Sequence, residues 1–256
     1  MITIISPTTT MNFDKNININ LSSEPVFLNE VNYLMSLLKK LSLDEVGKLM
    51  NLSKDLSILN FNRYSDFNTI NNQSLQSILA FDGEVFSCMN IDNFNIDDFK
   101  FANNHLRILS GLYGILHPLD SIQPYRLEMK AKLKNESGND LYKFWKDKIT
   151  NNIIKDLNNH KEKVLVNLAS SEYIKSIDLK EIKKSCSFID IVFKEYIPST
   201  DTYKVKGLYA KKARGYMAEY IIKNKIDNIE DLKLFNKDGY LLNTELSTDE
   251  VLTFTR

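Results

Sequence analysis

The sequence predicts an α/β fold in which one mixed β-sheet is flanked by helices and residues 1–256 form a single domain. Short apolar runs, typical of buried strands, alternate along the chain with longer stretches whose apolar residues recur every three or four positions. No repeat and no long linker interrupts this alternation. A chain of 256 residues is also long enough to bury a large core.

The first half predicts one buried strand followed by helices. The strand, Ile2–Ile5, ends at Ser6–Thr10, whose hydroxyl groups can satisfy the loop backbone or hold an oxyanion. Ser42 and Glu45 form a capping box that opens a helix ending at Met50. Other helices are predicted over Asn29–Leu41, Ser53–Asn60, Gln73–Ala80 and Asp97–Ser110.

A glycine turn follows the last of these helices, within Asn104–Met129. Gly111 and Gly114 can adopt positive φ or admit a second backbone, so the turn predicts main-chain N–H groups directed at an anion, usually phosphate. The alternative is a buried connection between two core elements. Tyr125–Met129 then alternates like a short strand.

Three lysines continue this alternation at Lys130, Lys132 and Lys134. On a strand they would place three cations on one face. The alternative is a solvated edge strand that lysine protects from pairing.

The second half alternates strands and helices more regularly. Predicted strands cover Lys163–Leu168, Ser187–Tyr196 and Thr202–Leu208, and Tyr240–Asn243 with Val251–Thr255 predicts a closing hairpin. Helices are predicted over Asp140–Leu157, from the 170–172 loop through Ile177, and from Tyr209 onward.

Two helix starts in this half predict anion sites. Ser170 and Ser171 follow a buried strand and precede a helix whose first turns carry Lys175, an arrangement that can seat a phosphate, although serine capping alone explains the serines.

The second start is Tyr209–Gly215, where Lys211, Lys212 and Arg214 crowd the first turns of a helix. The helix dipole disfavours each cation there by roughly 0.3–1 kcal/mol, and Gly215 costs about 1 kcal/mol more. These unfavourable contributions are consistent with an anion lying opposite. The alternative is ion pairing with an acidic patch from the first half.

Charge and composition narrow the function classes. The net charge is zero, which argues against indiscriminate nucleic-acid binding. Residues 1–128 hold 9 Lys and Arg against 14 Asp and Glu, a balance of −5, whereas residues 129–256 hold 24 against 19, a balance of +5. The asymmetry is compatible with one basic face.

Neither a disulfide framework nor a metal site is expected. Cys88 and Cys186 lack a partner motif, and the spacing of His105, His117 and His160 matches no zinc or iron signature, so we expect no metal and no cofactor. No signal sequence and no apolar run of membrane-spanning length is present, so a cytoplasmic location is expected, without membrane association.

Several of these motifs together carry a family resemblance that extends essentially from end to end. The chain resembles the YaaA family of bacterial peroxide-stress proteins. The motifs that carry this resemblance are Ile5–Phe13, Leu79–Phe86, His105–Met129, Asp140–Trp145, Asn167–Ile177 and Tyr209–Gly215.

The resemblance implies a monomeric protein that binds double-stranded DNA through a basic cleft. It also implies a fold particular to the family, with a turn similar to a helix-hairpin-helix motif, and a role in limiting iron-driven peroxide damage. Two residues depart from the family pattern: Thr9 and Asp82 stand where lysine is usual. Both departures remove a cation from the expected cleft.

The leading hypothesis is therefore a DNA-binding protein of the peroxide stress response that recognises duplex or structured DNA by its backbone. The residues expected to contact DNA are Lys175, Lys211, Lys212, Arg214, Arg126, Lys130, Gly111 and Gly114.

A nucleic-acid- or nucleotide-processing enzyme, such as a lyase or glycosylase, is the alternative, with Lys212 as nucleophile or electrostatic stabiliser. Its anion or small-molecule site would use Ser6, Thr10, Ser170, Ser171, Glu172 and Tyr125. A third hypothesis is a stress factor that binds a small molecule or a protein and whose basic patch only pairs internally.

Overall fold

Eight strands form a mixed sheet in the computed structural model, which describes residues 1–15, 17, 19–69 and 72–256. The strands in chain order are β1 (Ile2–Ile5), β2 (Leu75–Gln76), β3 (Leu106–Ser110), β4 (Gly114–Leu116), β5 (Ser121–Ile122), β6 (Val164–Leu168), β7 (Ser187–Ile197), β8 (Thr202–Lys204), β9 (Leu241–Leu242) and β10 (Val251–Thr255). β2 and β5 form a separate two-stranded ladder. The predicted α/β class with a mixed sheet is thus confirmed.

Helices surround this sheet. In chain order they are α1 (Leu28–Leu38), α2 (Leu43–Met50), α3 (Lys54–Asp66), α4 (Ser77–Ala80), α5 (Glu84–Cys88), α6 (Ile96–His105), α7 (Leu141–Leu157), α8 (Ser171–Ile174), α9 (Leu179–Ser185), α10 (Gly207–Lys223) and α11 (Ile229–Lys233). A single 3₁₀ turn covers Ile91–Asn93 within the described residues.

The sheet order is β4-β3-β1-β6-β7-β10-β9, with β8 paired to β7. Strands β3, β1, β6, β7 and β10 run parallel, whereas β4, β8 and β9 are antiparallel to their neighbours. β1, β3 and β6 are buried along their whole length, which explains their nearly continuous apolar sequences. We call the end where these three strands finish the carboxyl edge, and the end where they begin the amino edge.

Local sequence signals fix several boundaries. The Ser42 side chain accepts a hydrogen bond from the Glu45 N–H, and Glu45 accepts one from the Ser42 N–H, which confirms the capping box of α2. The Asp140 carboxylate likewise caps α7 by accepting a hydrogen bond from the Lys143 N–H at 2.9 Å. The closing hairpin is confirmed by the antiparallel pairing of β9 with β10.

The prediction of one helix over Asp97–Ser110 is wrong in its second half. α6 ends at His105, and the chain passes directly into β3 because Leu106 already has extended φ and ψ. Residues 106–116 therefore form a β-hairpin, and the helix-hairpin-helix turn is not seen. A short apolar run fits a buried strand as well as a helix, and no glycine or proline marks the change.

Other predicted elements differ in length. Ser53–Asn60 is part of a longer helix, α3; of Gln73–Ala80 only the last turn is helical, as α4; and α8 ends before Ile177. Tyr125–Met129 forms no ladder, yet its alternation persists through the following lysines. Leu127, Met129, Ala131 and Leu133 are buried, whereas Lys130, Lys132 and Lys134 are exposed.

Candidate nucleic-acid interface at the carboxyl edge

Two serines meet at the centre of the carboxyl edge. Ser6 follows β1 and Ser170 follows β6, two adjacent parallel strands. The Ser6 hydroxyl donates to the Ser170 hydroxyl at 3.1 Å and accepts from the Ser170 N–H at 2.8 Å. After β1 the chain first adds β3 on one side of it and later adds β6 on its other side. The two serines therefore lie at a topological switch point, where open α/β sheets bind ligands.

The loop Ser6–Thr10 also contacts the 82–84 segment. The Thr8 hydroxyl donates to the Asp82 carbonyl at 2.7 Å, and the Asp82 N–H donates to the Thr10 carbonyl at 3.0 Å. The Thr10 N–H donates to the Thr8 hydroxyl at 3.0 Å. Much of the loop's hydroxyl chemistry therefore satisfies its own backbone, while the side chains of Thr9 and Thr10 remain exposed.

Arg126 and Lys130 lie in a network of alternating charges. Arg126 pairs with Glu128 at 2.8 Å, and Lys130 pairs with Glu128 at 2.9 Å and with Glu172 at 3.6 Å. Burial alone would raise the pKa of Glu128, but hydrogen bonds from Lys130 and Arg126 outweigh burial and lower it. The Nε atom of Arg126 is buried and finds no acceptor among the described residues.

A groove of about 1150 Å³ extends from this network along residues 126–134 to α1 and α2. We call it the lysine groove, because its cations are Arg126, Lys130, Lys132, Lys134 and Lys48, against Glu45 and Glu128. Its floor contains apolar side chains such as Leu41, Leu49 and Leu133. Thr9 lines the same groove, so the Ser6–Thr10 loop connects it to the serine pair.

The glycine turn, by contrast, is buried. A Cβ at Gly111 would lie 2.2 Å from the Leu127 carbonyl oxygen, and one at Gly114 would lie 2.6 Å from the Trp145 ring. Gly114 also has φ +71°, a conformation that side chains disfavour. The Trp145 indole N–H donates to the Gly111 carbonyl at 2.9 Å. Both glycines are thus accounted for by packing within the core.

Tyr125 is also internal. Its hydroxyl lies 2.6 Å from the Ser110 hydroxyl at the end of β3, and burial raises its pKa well above the ordinary value. The Ser110 hydroxyl accepts from the Tyr113 N–H at 2.9 Å, so this pair fixes the hairpin turn.

Helix α10 presents two of its predicted cations outward. Lys211 is exposed, and Lys212 lies 3.9 Å from Glu84 at the start of α5. Gly215 allows α10 to pack against α5, because a Cβ there would lie 2.3 Å from the Val85 carbonyl oxygen. The glycine therefore serves helix packing.

Arg214 faces inward, toward a polar pair on the sheet. The side-chain amide of Asn167 in β6 donates to the Asp190 carboxylate of β7 at 2.7 Å. The Oδ1 atom of the same amide accepts from the Ala169 N–H at 2.9 Å. Burial raises the pKa of Asp190 and lowers that of Arg214, and the attraction between them opposes both shifts. The buried Nε of Arg214 has no acceptor within the described part of the chain.

The remaining predicted residues lie on or beside α8. Ser171 is its first residue, Glu172 reaches Lys130, and Lys175 is exposed immediately after its last turn. α8 has only four residues, and the Ser170 side chain bonds Ser6 without capping the helix.

The structure thus brings the Ser6–Thr10 loop, the 126–130 segment, α8 and the start of α10 to one edge of the sheet. Sequence reasoning missed the acidic partners Glu84, Glu128 and Asp190, the amide of Asn167, and Lys48 in the groove. Polar residues inside a strand, such as Asn167 and Asp190, are a signal that could have found the buried pair.

The thiols carry no sign of activation. Burial raises the pKa of both Cys88 and Cys186, whereas a reactive thiolate needs a lowered pKa.

Within the described residues, every helix is too short or too polar to cross a bilayer.

Comparison with known proteins places these features in a family. Residues 1–246 match the family model described as peroxide stress protein YaaA. A UPF0246 protein of Clostridium botulinum Eklund 17B is 46% identical over 257 residues, covering 100% of this chain and 99% of the relative. UPF0246 proteins of Clostridium perfringens strain 13 and Crocosphaera subtropica are 45% and 41% identical, each over 100% of both chains.

Proposed function

This chain belongs to the peroxide stress protein YaaA family, and from that premise we propose that it binds double-stranded or structured DNA through the sugar–phosphate backbone at its carboxyl edge. The family supports a role in the peroxide stress response. Within that role we propose that the chain limits iron-driven damage to DNA. The chain acts as a monomer in the cytoplasm.

One observation carries the proposal. The Ser6–Thr10 loop contacts Ser170 before α8, the Asp82 segment that leads to α5 and Lys212, and the lysine groove. Three separate segments that carry or lead to cations therefore adjoin one loop at a topological switch point. Long lysine side chains around a groove suit an extended polyanion better than a small compact ligand.

The cations at this edge differ in availability. Lys175, Lys211, Lys132 and Lys134 are exposed and form no ion pair within 4.0 Å among the described residues, so they are free to bind phosphate. Arg126 and Lys130 are already paired with glutamates and must exchange partners to do so. Binding is therefore of moderate strength and depends steeply on salt.

Charge reversal of Lys211 and Lys212 tests the proposal. The protein is titrated into labelled duplex and junction DNA at several salt concentrations. Lys211→Glu with Lys212→Glu should weaken binding to every sequence and reduce the slope of log K against log salt by about 2. Unchanged affinity would show that this helix is not part of the interface.

A matched control is available at the opposite edge. Lys155 and Lys163 are exposed lysines near the amino edge, and their conversion to glutamate gives the same net charge as the test variant. This control should retain the wild-type slope. An equal loss in both variants would indicate an effect of net charge alone.

A nucleic-acid- or nucleotide-processing enzyme is the second candidate, and the half-buried residues Asp190 and Arg214, whose charges attract each other, are the observation that favours it. Ionisable groups with shifted pKa values are typical of active sites. Borohydride trapping on DNA with an abasic site tests this candidate. A covalent adduct lost in Lys212→Ala would establish lyase chemistry, and its absence in the wild type would exclude Lys212 as a Schiff-base nucleophile.

A further inference from the structure

Two histidines and an aspartate come together at the amino edge. His105 is the last residue of α6, His160 follows α7, and Asp227 follows α10. One ligand atom from each lies within 4.8 Å of the others, although the residues are far apart in sequence. Spacing along the chain gives no sign of this cluster.

We propose that His105, His160 and Asp227 bind a divalent first-row transition metal ion such as Zn²⁺. Two imidazoles and one carboxylate are a donor set that suits zinc and its neighbours. This site is independent of the proposed DNA interface and lies at the opposite end of the sheet.

The distances require only a small contraction. Ligand atoms in a tetrahedral zinc site lie about 2.0–2.1 Å from the metal, which places them roughly 3.4 Å from one another. His105 Nδ1 is already 3.5 Å from Asp227 Oδ1, but it also donates a hydrogen bond to the Met1 carbonyl at 2.9 Å, which must break if Nδ1 is to bind the ion. The partly exposed side chain of Asp227 is the member of the cluster that can rotate to close the remaining distance.

Both imidazoles are held in place. The His105 ring stacks on Phe101 with a centroid distance of 4.0 Å and meets the His160 ring edge-on at 4.8 Å. His160 Nδ1 accepts a hydrogen bond from the Met1 amino group at 3.2 Å, so this nitrogen carries no proton, the form that coordinates metal ions.

A cavity of about 530 Å³ gives access to the cluster. Its wall includes all three side chains together with His117, Arg107 and Asp156. Arg107 pairs with Asp156 at 2.7 Å, so this cation in the cavity wall is already neutralised.

The cluster also holds a cation of the chain itself. The Met1 amino group lies 2.6 Å from Asp227 Oδ1 and 3.2 Å from His160 Nδ1. Its position shows that the three side chains favour positive charge. The competing explanation is that they serve only to anchor this amino group.

Metal titration of the purified full chain separates the two explanations. Zn²⁺ is added in competition with a chromogenic chelator, and Co²⁺ is followed by its visible absorption. The chain should bind one ion, and His160→Ala or Asp227→Asn should reduce affinity by at least about 100-fold. His117→Ala, which removes a histidine from the same cavity but outside the cluster, should bind as the wild type does.

A measurement on the unmodified protein guards against misfolded variants. In nitrogen-15 spectra of the imidazole groups, Zn²⁺ should shift the signals of His105 and His160 and leave that of His117 in place. Equal affinity in wild type and His160→Ala, or no shift of the two signals, would overturn the proposal. The cluster would then serve only to anchor the Met1 amino group.

Discussion

The two edges of the sheet differ in how their ionisable groups are held. At the carboxyl edge the available cations are long lysine side chains such as Lys134 and Lys211, exposed to solvent on a loop and a helix. At the amino edge the groups are short and fixed, with His105 stacked on Phe101 and Asp227 beside the Met1 amino group. Rigidity, more than charge, distinguishes the two regions.

This difference fits the two ligands proposed above. Flexible lysines in solvent exchange partners easily and suit an extended, irregular polyanion, at the cost of sensitivity to salt. Short side chains in fixed positions suit one small ion, because coordination demands defined distances. Salt should therefore weaken binding at the carboxyl edge far more than at the amino edge.

The largest effect is expected from the amino edge. Arg107 is almost fully buried on β3 and pairs with Asp156 at 2.7 Å, so Arg107→Ala leaves a carboxylate without its cation. The free energy of unfolding should fall by about 3–5 kcal/mol, measured in urea. The exposed pair Lys146–Asp178 is the control, and Lys146→Ala should change stability little. A much smaller loss of stability in Arg107→Ala would mean that the ionisable groups at the amino edge are not held rigidly.

The glycine hairpin of the carboxyl edge provides the next test. Gly111→Ala places a Cβ 2.2 Å from the Leu127 carbonyl, and the overlap should cost about 2–3 kcal/mol of stability. Gly207→Ala is the matched control, since a Cβ there meets nothing within 4 Å. DNA affinity per folded molecule should be retained in Gly111→Ala. A selective loss of affinity at full stability would instead support a direct backbone contact with phosphate.

A pH-dependent effect is expected where α10 is fastened to α6. Asp98 accepts hydrogen bonds from Lys223 and Lys225, which outweigh its burial and lower its pKa to about 2. A lowered pKa stabilises the fold above the unfolded value near 4, and this stability is lost as pH falls toward 2. Asp98→Asn should cost about 1–2 kcal/mol at pH 7, and the difference from wild type should vanish near pH 2. Denaturant unfolding across this range measures it, and a constant difference would contradict the assignment.

The smallest effect concerns the two departures from the family pattern. Thr9 is exposed beside the lysine groove, and Asp82 pairs with Lys15 at 3.7 Å. Thr9→Lys with Asp82→Lys should tighten DNA binding roughly five- to tenfold, because each new exposed contact contributes up to about 1 kcal/mol. Anisotropy titrations at several salt concentrations would show a steeper slope. Unchanged binding would place the interface elsewhere.

Much of the fold follows from local signals in the sequence. Ile2–Ile5 and Val164–Leu168 are apolar except for Thr3 and Asn167, because both faces of a parallel sheet are covered. Ser42 and Asp140 mark helix starts through their own hydrogen bonds. The boundary at His105 had no such signal, since the change from helix to strand there depends on pairing with β1.

The candidate sites are harder to derive because they depend on contacts between distant residues. The hydroxyl loop and the basic start of α10 are visible in the sequence, but the glutamates that partner Arg126 and Lys130 become apparent only once α8 lies against the 126–130 segment. The buried position of Gly111 depends equally on Leu127. His105, His160 and Asp227 come from three helix ends, and no spacing rule joins them.

Position 215 should tolerate almost no variation in descendants of this gene. α10 has 17 residues, about 25 Å; it carries Lys211 near the carboxyl edge, and Asp227 follows its other end at the amino edge. Any residue larger than glycine would lift the helix from the Val85 carbonyl and displace both ends together. One inherited change could thus impair the binding of both proposed ligands. A saturation mutagenesis screen should find fewer surviving alleles here than at the neighbouring Tyr216.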